Sequence, residues 1–158
     1  MSKLFDSLRD FEQVSTLTLA TTSPQGRPHA APVYFVALET NKAAASPAWR
    51  LYFFSEPGSR HARDIAHCAQ AAAALYPQCQ GWRDIRGLQL RGAVYSVAPG
   101  AEWDQAWGAY RAKFPFVAQL KAVVARNTLY ALIPDWMRLV DNRRGFGYKE
   151  EWPRDANE

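Results

Sequence analysis

Short segments in which apolar and polar residues alternate constrain the fold of this chain more than any other feature of its sequence. In STLTLATT, Leu17 and Leu19 alternate with threonines, and between Ile85 and Val97 the residues Leu88 and Leu90 share one face. Successive side chains of a β-strand point to opposite faces, so this period of two predicts half-buried strands. Further strands are predicted over HAAPVYFVAL, WRLYFFS and TLYALIPDWMRLV.

Helical periodicity is limited to short stretches of the chain. It predicts helices over about residues 1–13, over SRHARDIAHC with Ser59 as N-cap, over PGAEWDQAWGAYRAKF and over FVAQLKAVVA. The helix that begins at Ser59 is expected to end near Cys68 and to be followed by a strand. Because the six or so strands do not alternate with helices, the sequence predicts a mainly β fold, an antiparallel barrel with short peripheral helices.

Prolines and glycines predict where this strand pattern is interrupted. Pro32 indicates an edge position or a bulge, and Gly92 indicates a bulge or a close approach of two backbones. Pro134 is expected to break the last long strand. Residues 41–48 are predicted to form a loop, and residues 141–158 an irregular C-terminal tail.

Length and charge exclude several classes of protein. The 158 residues predict one domain, 1–158, and the apolar runs fall short of the roughly 20 residues of a membrane span. The first 13 residues lack the apolar core of a signal peptide, and Cys68 and Cys79 are the only cysteines, which favours a cytoplasmic protein with reduced thiols. The net charge of +4 comes from scattered residues, so we expect no nucleic-acid binding. No second Cys/His pair lies at ligand spacing from His67 and Cys68, so we expect no metal site.

The strongest local signal for function is the start of the second predicted helix. Arg60, His61 and Arg63 occupy its first turn after Glu-Pro-Gly and Ser59, although a helix N-terminus favours negative charge. A phosphate would relieve this arrangement by accepting hydrogen bonds from the cap hydroxyl, the backbone and an arginine. Solvated surface arginines beside an ordinary N-cap explain the same pattern, and the residues alone leave both interpretations open.

A second group of polar residues lies on the predicted strand WRDIRGLQLRG. Gln89 and Arg91 share its polar face, where they either contact a ligand ring or simply face solvent. Candidate nucleophiles lack a recognisable pattern, since neither G-x-S-x-G nor a pair of carboxylates occurs. We therefore name no catalytic residue.

Four segments, TLATTSPQGRPHAAPVYF, LYFFSEPGSRHARDI, IRGLQLRG and LIPDWMRLVDNRRGFGYKEEW, carry a family resemblance. In their order and spacing they resemble the pyridoxamine 5′-phosphate oxidase-like FMN-binding split-barrel superfamily, and within it the YhbP-like branch. The resemblance implies a six-stranded antiparallel split β-barrel with short peripheral helices, and a homodimer with the flavin site at the subunit interface. Ser59-Arg60-His61 stands where the oxidases bind the flavin phosphate with Ser-Arg-Lys, and the residues that the resemblance assigns to the cofactor are His29, Ala30, Ala31, Pro32, Val33, Ser55, Ser59, Arg60, His61 and Gln89.

The leading functional hypothesis is therefore an FMN-binding protein, either a flavin-dependent oxidoreductase of unknown substrate or a flavin carrier. FAD or deazaflavin could replace FMN in such a site. The alternative is a haem-binding or haem-handling protein on the same barrel, with His29, His61 or His67 as axial ligand, or a binding protein without a cofactor.

Overall fold

The computed structural model describes residues 9–40 and 48–153. In that part of the chain the strands are β1 (Thr16–Thr22), β2 (Pro28–Thr40), β3 (Ala48–Ser55), β4 (Gln70–Leu75), β5 (Arg86–Ser96), β6 (Thr128–Asp141) and β7 (Lys149–Trp152). The α-helices are α1 (Arg60–His67), α2 (Ala101–Lys113) and α3 (Lys121–Val124). Of the helix predicted over 1–13, residues 1–8 lie outside the described residues, and Arg9 and Asp10 are helical. The predicted loop at 41–48 also lies outside them, apart from Ala48.

These strands form one antiparallel sheet that closes on itself. Their order is β3-β2-β1-β4-β5-β6-β7, and β3 also pairs with β6. The beginning of β6 pairs with β3 through Thr128–Leu132, whereas its end pairs with β7 through Met137–Val140. Six strands therefore close the barrel and β7 extends it, which confirms the predicted mainly β, six-stranded antiparallel barrel with short helices.

The first half of β2 is an open edge of the barrel. Residues 28–34 pair only with β1, whereas Phe35–Thr40 pair with β3. The N–H of Phe35 donates to the carbonyl of Ser15, on the β1 side. Because the N–H direction alternates along an antiparallel strand, the nitrogen of Pro32 faces the open edge and removes no bond from the β1–β2 ladder. The edge position predicted for Pro32 is confirmed.

A bulge bends β6 where it crosses Gly92. Arg91 pairs with Trp136 and Gly92 pairs with Pro134, so Asp135 is an extra residue in β6. A Cβ atom on Gly92 would lie 1.9 Å from the carbonyl oxygen of Ile133, so the close backbone approach predicted for Gly92 is confirmed. The prediction that Pro134 breaks the strand is wrong, because the bulge accommodates the proline within one continuous β6.

Two apolar cores lie on opposite sides of the sheet. The interior of the barrel contains the alternating leucines of β1 and β5 together with the aromatic residues Phe35 and Phe53. The second core lies outside the barrel, where α2 packs Ala106 and Tyr110 against Tyr52 and neighbouring residues of β2, β3 and β6. α2 therefore covers one outer face of the barrel.

A polar cluster attaches the start of α2 to the barrel. Glu102 Oε1 accepts hydrogen bonds from Arg50 Nη1 at 2.6 Å, Tyr52 Oη at 2.9 Å and Tyr95 Oη at 2.5 Å. Burial and the hydrogen bond to the Glu102 carboxylate raise the pKa of Tyr52 to about 12, and the same causes raise the pKa of Tyr95. The phenols therefore stay protonated and continue to donate.

The C-terminal tail is more ordered than the sequence predicts. Residues 141–158 were expected to be irregular, but β7 pairs with β6 and the 3₁₀-helix Asn142–Arg144 precedes it. The prediction fails because Lys-Glu-Glu-Trp has little strand propensity of its own, whereas its position beside β6 lets Glu151 form an ion pair with Arg138. Residues 154–158 lie outside the described part of the chain.

Candidate functional site

Helix α1 closes one end of the barrel and begins with a side-chain cap. The hydroxyl of Ser59 accepts a hydrogen bond from the backbone N–H of Ala62 at 3.3 Å, which confirms Ser59 as N-cap. Ala62 and Ile65 point into the barrel core. The buried carboxylate of Asp64 accepts a 2.8 Å hydrogen bond from the hydroxyl of Thr21 at the end of β1. The apolar contacts and this polar bond fix the orientation of α1 on the barrel.

Three polar side chains meet at the N-terminus of α1, and we call them the Ser–His cluster (Ser55, Ser59 and His61). His61 Nε2 lies 2.5 Å from Ser55 Oγ and 3.2 Å from Ser59 Oγ, and the two hydroxyl oxygens are 3.2 Å apart. Ser55 is the last residue of β3, and the turn through Glu56–Gly58 brings the chain back so that the helix begins beside it. Ser55 is buried, whereas Ser59 and His61 are half-buried.

A second histidine lies beside this cluster. The imidazole of His29, near the start of β2, is parallel to that of His61, with 6.4 Å between the ring centroids and 7° between the ring planes. Burial and the neighbouring charge of His29 lower the pKa of His61, and Asp64 opposes this effect in part. His61 is therefore mostly neutral at pH 7 in the free protein.

Two arginines flank the cluster from the exposed side of α1. Arg60 is exposed, and Arg63 Nη1 donates to the carbonyl of Gly58 at 2.7 Å. The backbone N–H groups of Arg60 and His61 precede the intrahelical bonds of α1, because the first N–H groups of a helix have no acceptor within it. Together, these groups make this end of the barrel a cationic site that is rich in hydrogen-bond donors.

The remaining residues assigned from the resemblance lie elsewhere on the sheet. Ala31 and Val33 lie on the interior side of β2, as His29 does, whereas Ala30 and Pro32 point outward. Gln89 is exposed on the outer face of β5, in the cross-strand row Pro32–Thr18–Ala74–Gln89. Three strand spacings of about 4.8 Å put Gln89 about 14 Å from Pro32. The structure thus brings His29, Ser55, Ser59 and His61 together at one end of the barrel and leaves Gln89 on the outer face.

The sequence did not predict that the side chain of His29, or a hydrogen bond from Thr21 to Asp64, would lie at the N-terminal end of α1. The resemblance assigned His29 to the strand whose backbone would run along the flavin ring. In the structure its imidazole stacks beside that of His61. The signal was present in β2, because Val33 and His29 are four residues apart and therefore share a face. The contact between Thr21 and Asp64 spans 43 residues and depends on how α1 packs against the end of β1.

A further polar group lies on the outer face of β5, β6 and β7, around the half-buried ring of Trp136. The guanidinium groups of Arg91 and Arg138 lie 5.8 Å and 5.1 Å from the centroid of this ring. Glu151 accepts hydrogen bonds from Trp136 Nε1 and from Arg138, and Arg91 is paired with Asp135 at 3.2 Å. Each arginine is already engaged by a carboxylate, which distinguishes this group from the cationic end at α1.

The described residues contain neither a metal-binding group of side chains nor a membrane-spanning helix. Within 9–40 and 48–153, no group of three or more His, Cys, Asp or Glu side chains could hold a metal ion. In the same part of the chain, no helix has the length and apolar character needed to cross a membrane.

Comparison with known proteins places the chain in a family. Residues 4–141 match the family model "Pyridoxamine 5′-phosphate oxidase", and the chain belongs to this family of split barrels. Within the family it belongs with the UPF0306 proteins: YhbP of Salmonella schwarzengrund is 34% identical over 106 residues, which cover 67% of this chain and 68% of that protein.

Two solved structures with haem-related titles share the fold. HutZ, described as the haem storage protein of Vibrio cholerae, matches with a TM-score of 0.65 and 19% identity over 82% of this chain and 89% of that chain. A haem-binding protein from Mycobacterium smegmatis matches with a TM-score of 0.68 and 18% identity over 89% of this chain and 56% of that chain. At these identities the likeness establishes the fold alone.

Proposed function

We propose that this protein binds FMN and that the Ser–His cluster holds the phosphate of the flavin. The observation that carries the proposal is the convergence of Ser55 Oγ, Ser59 Oγ and His61 Nε2 within 3.2 Å of one another at the N-terminus of α1. Membership of the pyridoxamine 5′-phosphate oxidase family supports FMN over other phosphorylated ligands.

The residues present fit a phosphate group. Two hydroxyls, an imidazole and the first backbone N–H groups of α1 can all donate hydrogen bonds to phosphate oxygens. Arg60 and Arg63 add positive charge on the exposed side. The carboxylate of Asp64, which is buried on the same helix, already accepts a hydrogen bond from Thr21. The cluster therefore offers donors and positive charge to an anion.

Bound FMN would supply the redox chemistry, and this chain would supply binding, orientation and electrostatics. The hydroxyls of Ser55 and Ser59 would hold the phosphate, and the open edge of β2 at residues 28–34 would offer backbone groups to the rest of the ligand. We further propose a homodimer with the flavin at the subunit interface. Exposed Tyr34, which lies on the same outer face of β2 as Ala30 and Pro32, supports this arrangement.

The test compares FMN with riboflavin, which has the same ring but no phosphate. We expect flavin fluorescence titrations to show tighter binding of FMN, and Ser55→Ala and Ser59→Ala each to weaken FMN binding by about 10- to 100-fold, because hydrogen bonds to a charged group contribute about 1.5–3 kcal/mol. Riboflavin binding should change little in both variants. Ser96→Ala, at the exposed end of β5, is the matched control. Equal affinity for FMN and riboflavin would reject the proposal.

Haem is the second candidate, because two proteins with the same fold are described as haem storage and haem-binding proteins. His67 is exposed at the end of α1, and His29 is half-buried, whereas His61 Nε2 is engaged by two serines. A hemin titration should give a Soret band that His29→Ala or His67→Ala removes. If hemin binds and FMN does not, the haem function replaces the flavin function.

Size-exclusion chromatography with light scattering tests the homodimer. A mass of about twice the 17.8 kDa of the chain supports it, and a mass equal to that of the chain contradicts it.

A further inference from the structure

The three side chains of the Ser–His cluster form hydrogen bonds with one another. Ser55 Oγ is 2.5 Å from His61 Nε2, and Ser59 Oγ lies 3.2 Å from both of these atoms. A neutral imidazole whose proton is on Nδ1 accepts at Nε2, so a serine hydroxyl can donate to it. In that tautomer at least one hydroxyl proton is directed at His61 and is not available to a ligand.

An anion requires the opposite arrangement of protons. Phosphate oxygens accept hydrogen bonds. A neutral Nε2 that carries a lone pair is also an acceptor, so it would repel them. Protonation of His61 changes Nε2 from an acceptor to a donor, and it also frees the hydroxyl of Ser55 to turn towards the ligand. The geometry of the cluster therefore couples the charge of His61 to anion binding.

The surroundings of His61 oppose protonation until a ligand arrives. The ring of His29, from β2, is parallel to that of His61 at 6.4 Å, so a charge on both rings is repulsive. Burial and His29 lower the pKa of His61 in the free protein, and Asp64 on the same helix partly offsets them. Arg60 and Arg63, on the exposed side of α1, also disfavour a further positive charge.

We infer that a phosphate monoester binds the Ser–His cluster together with one proton, which His61 takes up, so that affinity falls as pH rises. This inference rests on the proposed phosphate site and adds a regulatory property to it. A dianion close to His61 stabilises the imidazolium, and it outweighs the repulsion from His29 because it brings two negative charges. The free-energy cost of taking up this proton therefore increases as the pH rises.

Calorimetric titration of the full-length protein with FMN, in phosphate-free buffers of different ionisation enthalpy, measures this proton directly. Above about pH 7 the phosphate monoester is already a dianion, so any proton taken up on binding is bound by the protein. We expect close to one proton bound per FMN, and a Kd that rises by about tenfold per pH unit once the free imidazole is neutral. Inorganic phosphate, added to the protein while the His61 ring protons are followed by NMR, should raise the pH at which that ring titrates.

Variants at His61 separate charge from shape. His61→Lys supplies a permanent charge and should bind FMN with little pH dependence and little proton uptake. His61→Gln should bind more weakly, again without proton uptake. His67→Gln, at the exposed far end of α1, is the matched control and should behave as the wild type. Circular dichroism of each variant establishes that it is folded before it is titrated.

The outcomes distinguish this inference from the proposed function. If FMN binds the wild type without proton uptake, the inference is wrong and the flavin function stands. If FMN does not bind but inorganic phosphate shifts the titration of His61, proton-linked anion binding stands and the flavin function falls. If neither ligand binds, both are rejected.

Discussion

The substitution Gly92→Ala tests whether the close approach of β5 and β6 determines the shape of the barrel. A Cβ atom at position 92 would lie 1.9 Å from the carbonyl oxygen of Ile133, 2.7 Å from its carbonyl carbon and 2.9 Å from Pro134 Cα. Real Cβ contacts essentially never fall below 3.0 Å, so the two strands would have to separate by about 1.1 Å at this point. Each of these obstacles is backbone, and no side-chain rotation relieves them.

The expected cost follows from this geometry. Overpacking a rigid site typically costs 1–3 kcal/mol, and a backbone obstacle belongs at the upper end, so we expect a loss of about 3 kcal/mol in the free energy of unfolding. For a chain of this length, that loss lowers Tm by about 6–12 °C. Denaturant titration followed by circular dichroism measures the free energy, and a thermal scan measures Tm.

Gly108→Ala is the matched control for this experiment. Gly108 lies inside α2, and a Cβ atom there would have nothing within 4 Å. Alanine in a helix interior is more favourable than glycine by roughly 0.5–1 kcal/mol, so this variant should be as stable as the wild type or more stable. A loss below about 1 kcal/mol for Gly92→Ala, with an unchanged dependence on denaturant, would refute the argument that the bulge is sterically enforced.

Three further substitutions test other contacts. Thr21→Val should cost about 1–3 kcal/mol in denaturant titration, because it leaves the buried carboxylate of Asp64 without its donor; an unchanged stability would contradict this role. Burial lowers the pKa of Lys113 to about 8, so this side chain binds more protons in the unfolded chain than in the folded one between that pH and its ordinary value of 10.5, and Lys113 should contribute a rise in stability with pH across this window. Lys113→Met should remove that rise, and equal slopes in both proteins would refute the assignment. Glu102→Gln should lower the pKa of Tyr52 from about 12, measured by ultraviolet titration of the phenols, and an unchanged titration would mean that burial alone sets it.

The sequence predicts those parts of the fold that depend on nearby residues. The leucines of β1 and β5 alternate within single strands, and Ser59 caps a helix whose first turn follows it directly. These signals act over a few residues, so they could be interpreted without knowing the tertiary structure. The closed barrel then follows, because so many short strands must pair with one another to bury their apolar faces.

The features that escaped prediction depend on partners that are distant in the sequence. β7 forms because Glu151 and its neighbours lie beside β6, although their own propensity is low. The bulge at Asp135 keeps Pro134 within β6, and it can be recognised only once the register with β5 is known. His29 and His61 are 32 residues apart in the sequence and meet only through the fold of β2 and α1. The phosphate end could thus be proposed from local sequence, whereas its second imidazole could not.

Pro32 lies in the half of β2 that pairs only with β1, and it also affects how copies of this protein behave at high concentration. An unpaired strand edge is a template on which an extended segment of another molecule can add, and such addition leads to aggregation. Because the nitrogen of Pro32 faces that edge, a guest strand would find one donor missing in the middle of the row. Pro32 thereby discourages fibril-like growth at an edge that the sheet leaves unpaired. Substituting it should increase the tendency to aggregate more than it changes the fold.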